Sequence, residues 1–144
     1  MAEQTYTDPP GMPEDERMTG AELRMVRDYL GLTGDWLAAH LKVSPRTVRH
    51  WEHGRHPIPD GVRLAVEHLE ELTAQQVHAY STALLDVPDP CVVTYRNDAE
   101  YEAAAPGAGW PAGWHRQVLA RVAERVPGLR VIYAPLDEED GRAG

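Results

Sequence analysis

The sequence predicts a mainly α (α+β) fold, and three observations carry that prediction. Apolar residues recur at helical spacing in four segments between residues 20 and 85. Two β-rich segments flank a further amphipathic helix beyond residue 90. Proline and glycine clusters punctuate the boundaries between these segments. The expected architecture is a helical bundle, a long helix leading out of it, and a small C-terminal β-α-β module. With 144 residues, the chain has room for one compact domain or two small modules sharing that helix.

The elements follow in order. Residues 1–17 hold Pro9-Pro10-Gly11, Pro13 and Glu14-Asp15-Glu16 without periodicity, and read as a disordered acidic arm. Thr19-Gly20-Ala21-Glu22 is a capping box, in which the threonine hydroxyl accepts from the N3 amide and Glu22 reaches back. Leu23, Val26, Arg27 and Leu30 continue that first helix to about residue 30, and Gly31 closes it. Thr33 opens a second helix that buries Leu37, Ala38 and Leu41. Ser44-Pro45 restarts the chain as N-cap and first helical residue of a third helix, which buries Val48 and Trp51 and stops at Gly54. Asp60 caps a fourth helix whose apolar residues, Val62, Ala65, Val66, Leu69, Leu72, Val77, Tyr80, Leu84 and Leu85, run to about residue 85, with Thr73 as a candidate break. Residues 18–72 thus form a helical domain, and 73–88 continue the long helix.

Residues 89–135 form the second module. Cys91–Tyr95 and Leu129–Tyr133 read as strands, Asp98 caps a short helix through Ala104, and Trp114, Val118, Leu119, Val122 and Val126 form one helical stripe. Two strands are too few to be stable alone, so the module needs the long helix or a partner chain. Cys91 reads as an inert, buried residue. Residues 136–144 read as a disordered acidic tail.

Composition narrows the function classes. No apolar run approaches the roughly 18 residues that span a bilayer, the N-terminus lacks a leader pattern, and the lone cysteine forms no internal disulfide. A cytoplasmic, nucleoid-associated protein is expected. The net charge of −9 is concentrated at the ends: −5 in residues 1–16 and −3 in 137–144. Residues 42–55 are locally +3, with Lys42, Arg46, Arg49 and Arg55 against Glu52. Whole-chain charge therefore says little about partners. No nucleophile–base arrangement or phosphate loop is visible, so no enzyme and no cofactor are expected. His50, His53 and His56 lack a cysteine or carboxylate to complete a tetrahedral set, and no metal is assigned.

The informative segment is Thr33 to Arg55. Two short helices joined by a tight turn form a helix-turn-helix, whose second helix enters the major groove of double-stranded DNA. Arg46, Arg49 and His50 face away from the Val48/Trp51 side, as groove insertion requires. Glu52 is expected to pair with Arg24 or Arg27, because phosphates repel a carboxylate. The string Trp36-Leu37-Ala38-Ala39-His40-Leu41-Lys42-Val43-Ser44-Pro45-Arg46-Thr47-Val48-Arg49-His50-Trp51-Glu52 resembles the Cro-type (XRE) phage-repressor helix-turn-helix family. The resemblance implies a lambda-repressor-like bundle. It makes Arg46 and His50, with Arg49 beside them, the base readers. It sets Ser44, Thr47, His53 and Arg55 against phosphates, with Lys42 joining them from the turn. Two positions depart from the family: Gly34 stands where glutamine is usual, and Lys42 where the turn favours glycine.

The continuation Ile58-Pro59-Asp60-Gly61-Val62, then Tyr95–Tyr101 and Gly113–Val118, resembles the two-domain anti-CRISPR-associated repressors. That likeness implies a C-terminal homodimerisation module, with Trp114, Val118, Tyr95 and Val131 as contacts, and repression of the protein's own operon through an inverted-repeat operator. Three other readings stay open at this level. One is an antitoxin-like interaction protein that neutralises a partner protein and binds DNA with it. Another is an RNA hairpin as the ligand. The third is a small-molecule pocket around Tyr95, Asp98, His115 and Arg116.

Overall fold

The computed structural model describes residues 3–136, which fall into two units, one ending at Gln76 and the other starting at Val77. The expected tail lies, from residue 137 onward, outside the described residues.

In the first unit, a 3-10 turn at Glu14–Glu16 precedes α1 (Gly20–Tyr29), α2 (Gly34–Leu41), α3 (Pro45–Glu52) and the start of α4 (Asp60–Leu84). Local chemistry sets the starts of the first three. The Thr19 hydroxyl accepts from Glu22 N while Thr19 N donates to Glu22 Oε1, completing the capping box. Thr33 Oγ1 accepts from Trp36 N, and Ser44 Oγ accepts from Thr47 N ahead of Pro45. Leu23, Leu30, Leu37, Leu41, Val48, Trp51, Val62 and Leu69 make the core. Each such side chain contributes roughly 1.5–3 kcal/mol by leaving water. Gly20 is sterically required. A Cβ there would lie 2.5 Å from the carbonyl oxygens of Trp51 and Glu52, so the first turn of α1 touches the last turn of α3.

The fourth helix departs from expectation at its start and middle. Asp60 lies within α4, its carboxylate bound to Arg63 at 2.6 Å, and its backbone N–H is taken by Asp8 Oδ1 at 2.8 Å. That partner is 52 residues away, beyond any local capping rule. Thr73 does not break the helix. It is buried in line with Val66, Leu69 and Val77, and its hydroxyl donates to Leu69 O at 2.7 Å. Leu72, expected on the buried side, is exposed instead.

In the second unit, β1 (Cys91–Thr94) pairs in parallel with β2 (Arg130–Tyr133), Val92 opposite Val131. A parallel pair needs a crossover, supplied here by α5 (Asp98–Ala104) and α6 (Ala112–Arg125). Asn97, not Asp98, caps α5 by accepting from Glu100 N. Asp98 Oδ1 instead accepts from Ala112 N and so ties the start of α6 to α5. Cys91 is exposed, which corrects its reading as buried: it opens an outer strand rather than a covered one.

Candidate nucleic-acid interface

Two chain reversals present the third helix. The first is Lys42, which ends α2 with φ 59° and ψ 44°, the left-handed conformation the turn demands. A residue with a Cβ holds it at a cost of about 1–2 kcal/mol. The second is the Ser44-Pro45 start, where the extended Ser44 caps α3 by accepting from Thr47 N. The helix is strongly two-sided. Val48 and Trp51 are buried, Arg46 and Arg49 are exposed, and His50 is half-buried between them.

Arg46, Arg49, His50, His53 and Arg55 line one open groove. The structure therefore brings together all three expected base readers and two of the expected phosphate ligands. Ser44 and Thr47 sit at the N-terminus of the same helix, their hydroxyls 2.9 Å apart, and Lys42 is exposed in the preceding turn. The His50 ring lies 5.0 Å from that of His56. Burial, then the charges of Arg46, His56, Arg55 and Arg49, hold its pKa below the ordinary histidine value. A neutral His50 keeps one donor and one acceptor for a base edge.

The lone acid of this stretch is withdrawn from the groove. Arg27 Nε and Nη2 donate to the two Glu52 oxygens at 2.7 and 2.8 Å, and Arg27 Nη1 also donates to Leu32 O. The Glu52 side chain is only 6% exposed. Of the two partners expected, Arg27 takes the role, while Arg24 pairs with Asp28. Glu52 thus ties α3 to α1 and leaves the groove positive. Gly34, the departure from the family at the head of α2, has open space around its missing Cβ.

The sequence did not signal the residues that lie against the start of α3. Glu3 Oε1 accepts from Ser44 N and from Thr47 Oγ1, each at 2.8 Å. Gln4 N donates to Lys42 O, and the Tyr6 hydroxyl donates to Leu41 O. Residues expected as a free arm therefore have defined partners, chosen by groups some 40 positions away that no local pattern reveals.

The other residues expected in a site belong to the second unit. Trp114 and Val118 are 3% and 0% exposed, enclosed in that unit's own core, so neither offers a surface to a partner. An apolar helical stripe shows that a face is covered but not by which chain. Tyr95 is half-buried and stacked on Tyr101, and Val131 is 41% exposed. The residues considered for a ligand pocket are engaged by partners within the unit. His115 Nδ1 bonds Thr94 Oγ1 at 2.8 Å and its Nε2 bonds the Tyr80 hydroxyl at 3.0 Å, while Arg116 donates to Tyr95 O. Burial pushes the Tyr101 hydroxyl beside them up to about 12.

Residues 19–78 match the helix-turn-helix domain family. Over 97 residues the chain is 32% identical to the Aca2 repressor of Pectobacterium phage ZF40, an alignment covering 65% of this chain and 84% of that protein. The chain belongs to the XRE-type helix-turn-helix regulators. The regulator binds DNA to control transcription and is not an enzyme. Among its described residues, no helix is long and apolar enough to cross a membrane.

Proposed function

We propose that the regulator is an autorepressor that binds an inverted-repeat operator as a homodimer. The observation that carries this reading is the single groove formed by Arg46, Arg49, His50, His53 and Arg55, from which Glu52 is withdrawn. Arg46 is the principal base reader, bidentate to guanine, with His50 and Arg49 beside it. Ser44, Thr47, His53, Arg55 and Lys42 hold phosphates and fix the register.

The dimer contact falls to β2. Val131, Ile132 and Tyr133 are 41%, 40% and 49% exposed on consecutive residues of a strand in a two-stranded sheet. Short as it is, an exposed apolar edge strand offers unpaired backbone groups to another chain. Its relative in Pectobacterium phage ZF40 is a repressor, which supports the sign of regulation.

A mobility-shift titration against the DNA upstream of the gene, with excess random competitor, tests the proposal. A discrete shift that survives competition is expected. Footprinting should then show two half-sites about one duplex turn, roughly 34 Å, apart. Sedimentation should give a dimer that Val131→Glu splits. A folded monomer without a specific shift would favour a regulator that binds DNA only with a partner protein.

A further inference from the structure

Within the first unit, the donors expected to hold a DNA phosphate are already engaged by an anion from the chain itself. The Glu3 carboxylate receives the Ser44 backbone N–H and the Thr47 hydroxyl at 2.8 Å each. Those hydrogen bonds, Ser44 first and Thr47 second, hold its pKa below the usual carboxylate value, so it is charged at neutral pH. A carboxylate and a phosphodiester offer such donors the same thing: a negative charge and acceptor oxygens at a helix N-terminus. Both cannot occupy them at once.

Three further anchors hold the segment in place. Gln4 N donates to Lys42 O at 2.6 Å, in the turn that precedes α3. The Tyr6 hydroxyl donates to Leu41 O at 2.7 Å, and its ring packs over Gly61, where an added Cβ would sit 3.0 Å from Tyr6 Cδ1. Asp8 pairs with Arg17 and accepts the Asp60 N–H. Alternate positions 4, 6 and 8 are thus fastened to the turn, the end of α2 and the start of α4. Tethering of this kind gives Glu3 a high effective concentration at the α3 terminus.

We propose that residues 3–8 form a built-in competitor for DNA, with the Glu3 carboxylate occupying the phosphate position at the start of the recognition helix. The proposal rests on the DNA-facing assignment of Ser44 and Thr47 made above. Any duplex that uses those two groups must first displace Glu3, so the strap lowers affinity for operator and random DNA by one common factor. It sets the protein concentration at which binding begins and leaves the preference between sequences unchanged.

The test compares the full chain with Glu3→Gln and Glu16→Gln in fluorescence-anisotropy titrations. The probes are the upstream DNA and a short random-sequence duplex. Glu16 lies outside the strap, in the 3-10 turn at Glu14–Glu16, and its side chain makes no hydrogen bond or ion pair with α3, so it controls for net charge. Glu3→Gln should tighten both duplexes by roughly two- to fivefold beyond Glu16→Gln, the scale of an anion's preference for a helix N-terminus. In the absence of DNA, the amide resonances of Ser44 and Thr47 should move in Glu3→Gln and stay put in Glu16→Gln. Equal affinities for Glu3→Gln and Glu16→Gln, or unmoved resonances, would overturn the strap and leave the DNA reading standing. No binding by any of the three chains to either duplex would overturn both.

Discussion

The two units handle their polar groups in opposite ways. In the first, cations gather at the surface: Arg46, Arg49 and Arg55 share a groove, and the acid among them is tied to Arg27. In the second, polar groups are drawn inward. His115 is 3% exposed, bonded to Thr94 and Tyr80 and ringed by Tyr95 and Tyr101, while apolar Val131, Ile132 and Tyr133 face outward. A surface meant for a polyanion leaves its charges solvated until the ligand arrives. The second unit does the reverse, with hydrogen bonds satisfied inside and apolar area left over, which is what the proposed dimer contact requires.

The largest effect expected from breaking this contrast is steric. Gly20→Ala drives a methyl against two backbone carbonyls and should cost the first unit about 2–3 kcal/mol, read as a lowered denaturation midpoint together with loss of DNA binding. An unchanged midpoint would mean that the α1–α3 approach relaxes freely. Next comes the groove itself. Arg46→Ala should weaken operator binding by about 1–3 kcal/mol and relax one base position in each half-site. Arg55→Ala should instead weaken all sequences alike and reduce the salt slope by about 1. Identical behaviour of the two variants would erase the distinction between base reader and phosphate ligand.

The inward polarity of the second unit predicts a dependence on pH. Burial, then the Arg116 charge, hold His115 below the ordinary histidine pKa. The unfolded chain therefore binds more protons, and stability is fully present above about pH 6.5 and lost as pH falls below it, by at most about 1.4 kcal/mol per pH unit for one site. Urea titrations at descending pH should show this loss, and His115→Gln should flatten it. A slope unchanged by that substitution would assign the effect to His40 or His50, whose pKa values are also lowered. The smallest effect belongs to the turn. Lys42→Gly relieves the left-handed strain and should stabilise the chain by roughly 0.5 kcal/mol, while lowering the salt dependence of DNA binding. Stabilisation without a change in salt slope would remove Lys42 from the phosphate contacts.

The legibility of the site follows the range of the forces involved. Ser44, Pro45 and the Val48/Trp51 spacing act within one or two helical turns, so α3 and the outward direction of Arg46, Arg49 and His50 were readable from the sequence. The tight turn at Lys42 was readable too, because the three residues between α2 and α3 leave room for little else. Gly20 carried no such signal. It reads as an ordinary residue of a capping box, and its necessity appears only when α3 is brought against it.

By itself, then, the sequence determined the starts of α1, α2 and α3, the helix-turn-helix, the family and the outward face of α3, because caps, turns and periodicity are written in neighbouring residues. Tertiary structure decided what lies opposite each of those elements. It chose Arg27 over Arg24 for Glu52, set Asn97 rather than Asp98 at the head of α5, and left Cys91 exposed. It enclosed Trp114 and Val118 within their own unit and laid Glu3 on the start of α3. An apolar stripe or an acidic segment states only that it needs a partner. Which partner it meets is settled by packing between residues far apart in the chain.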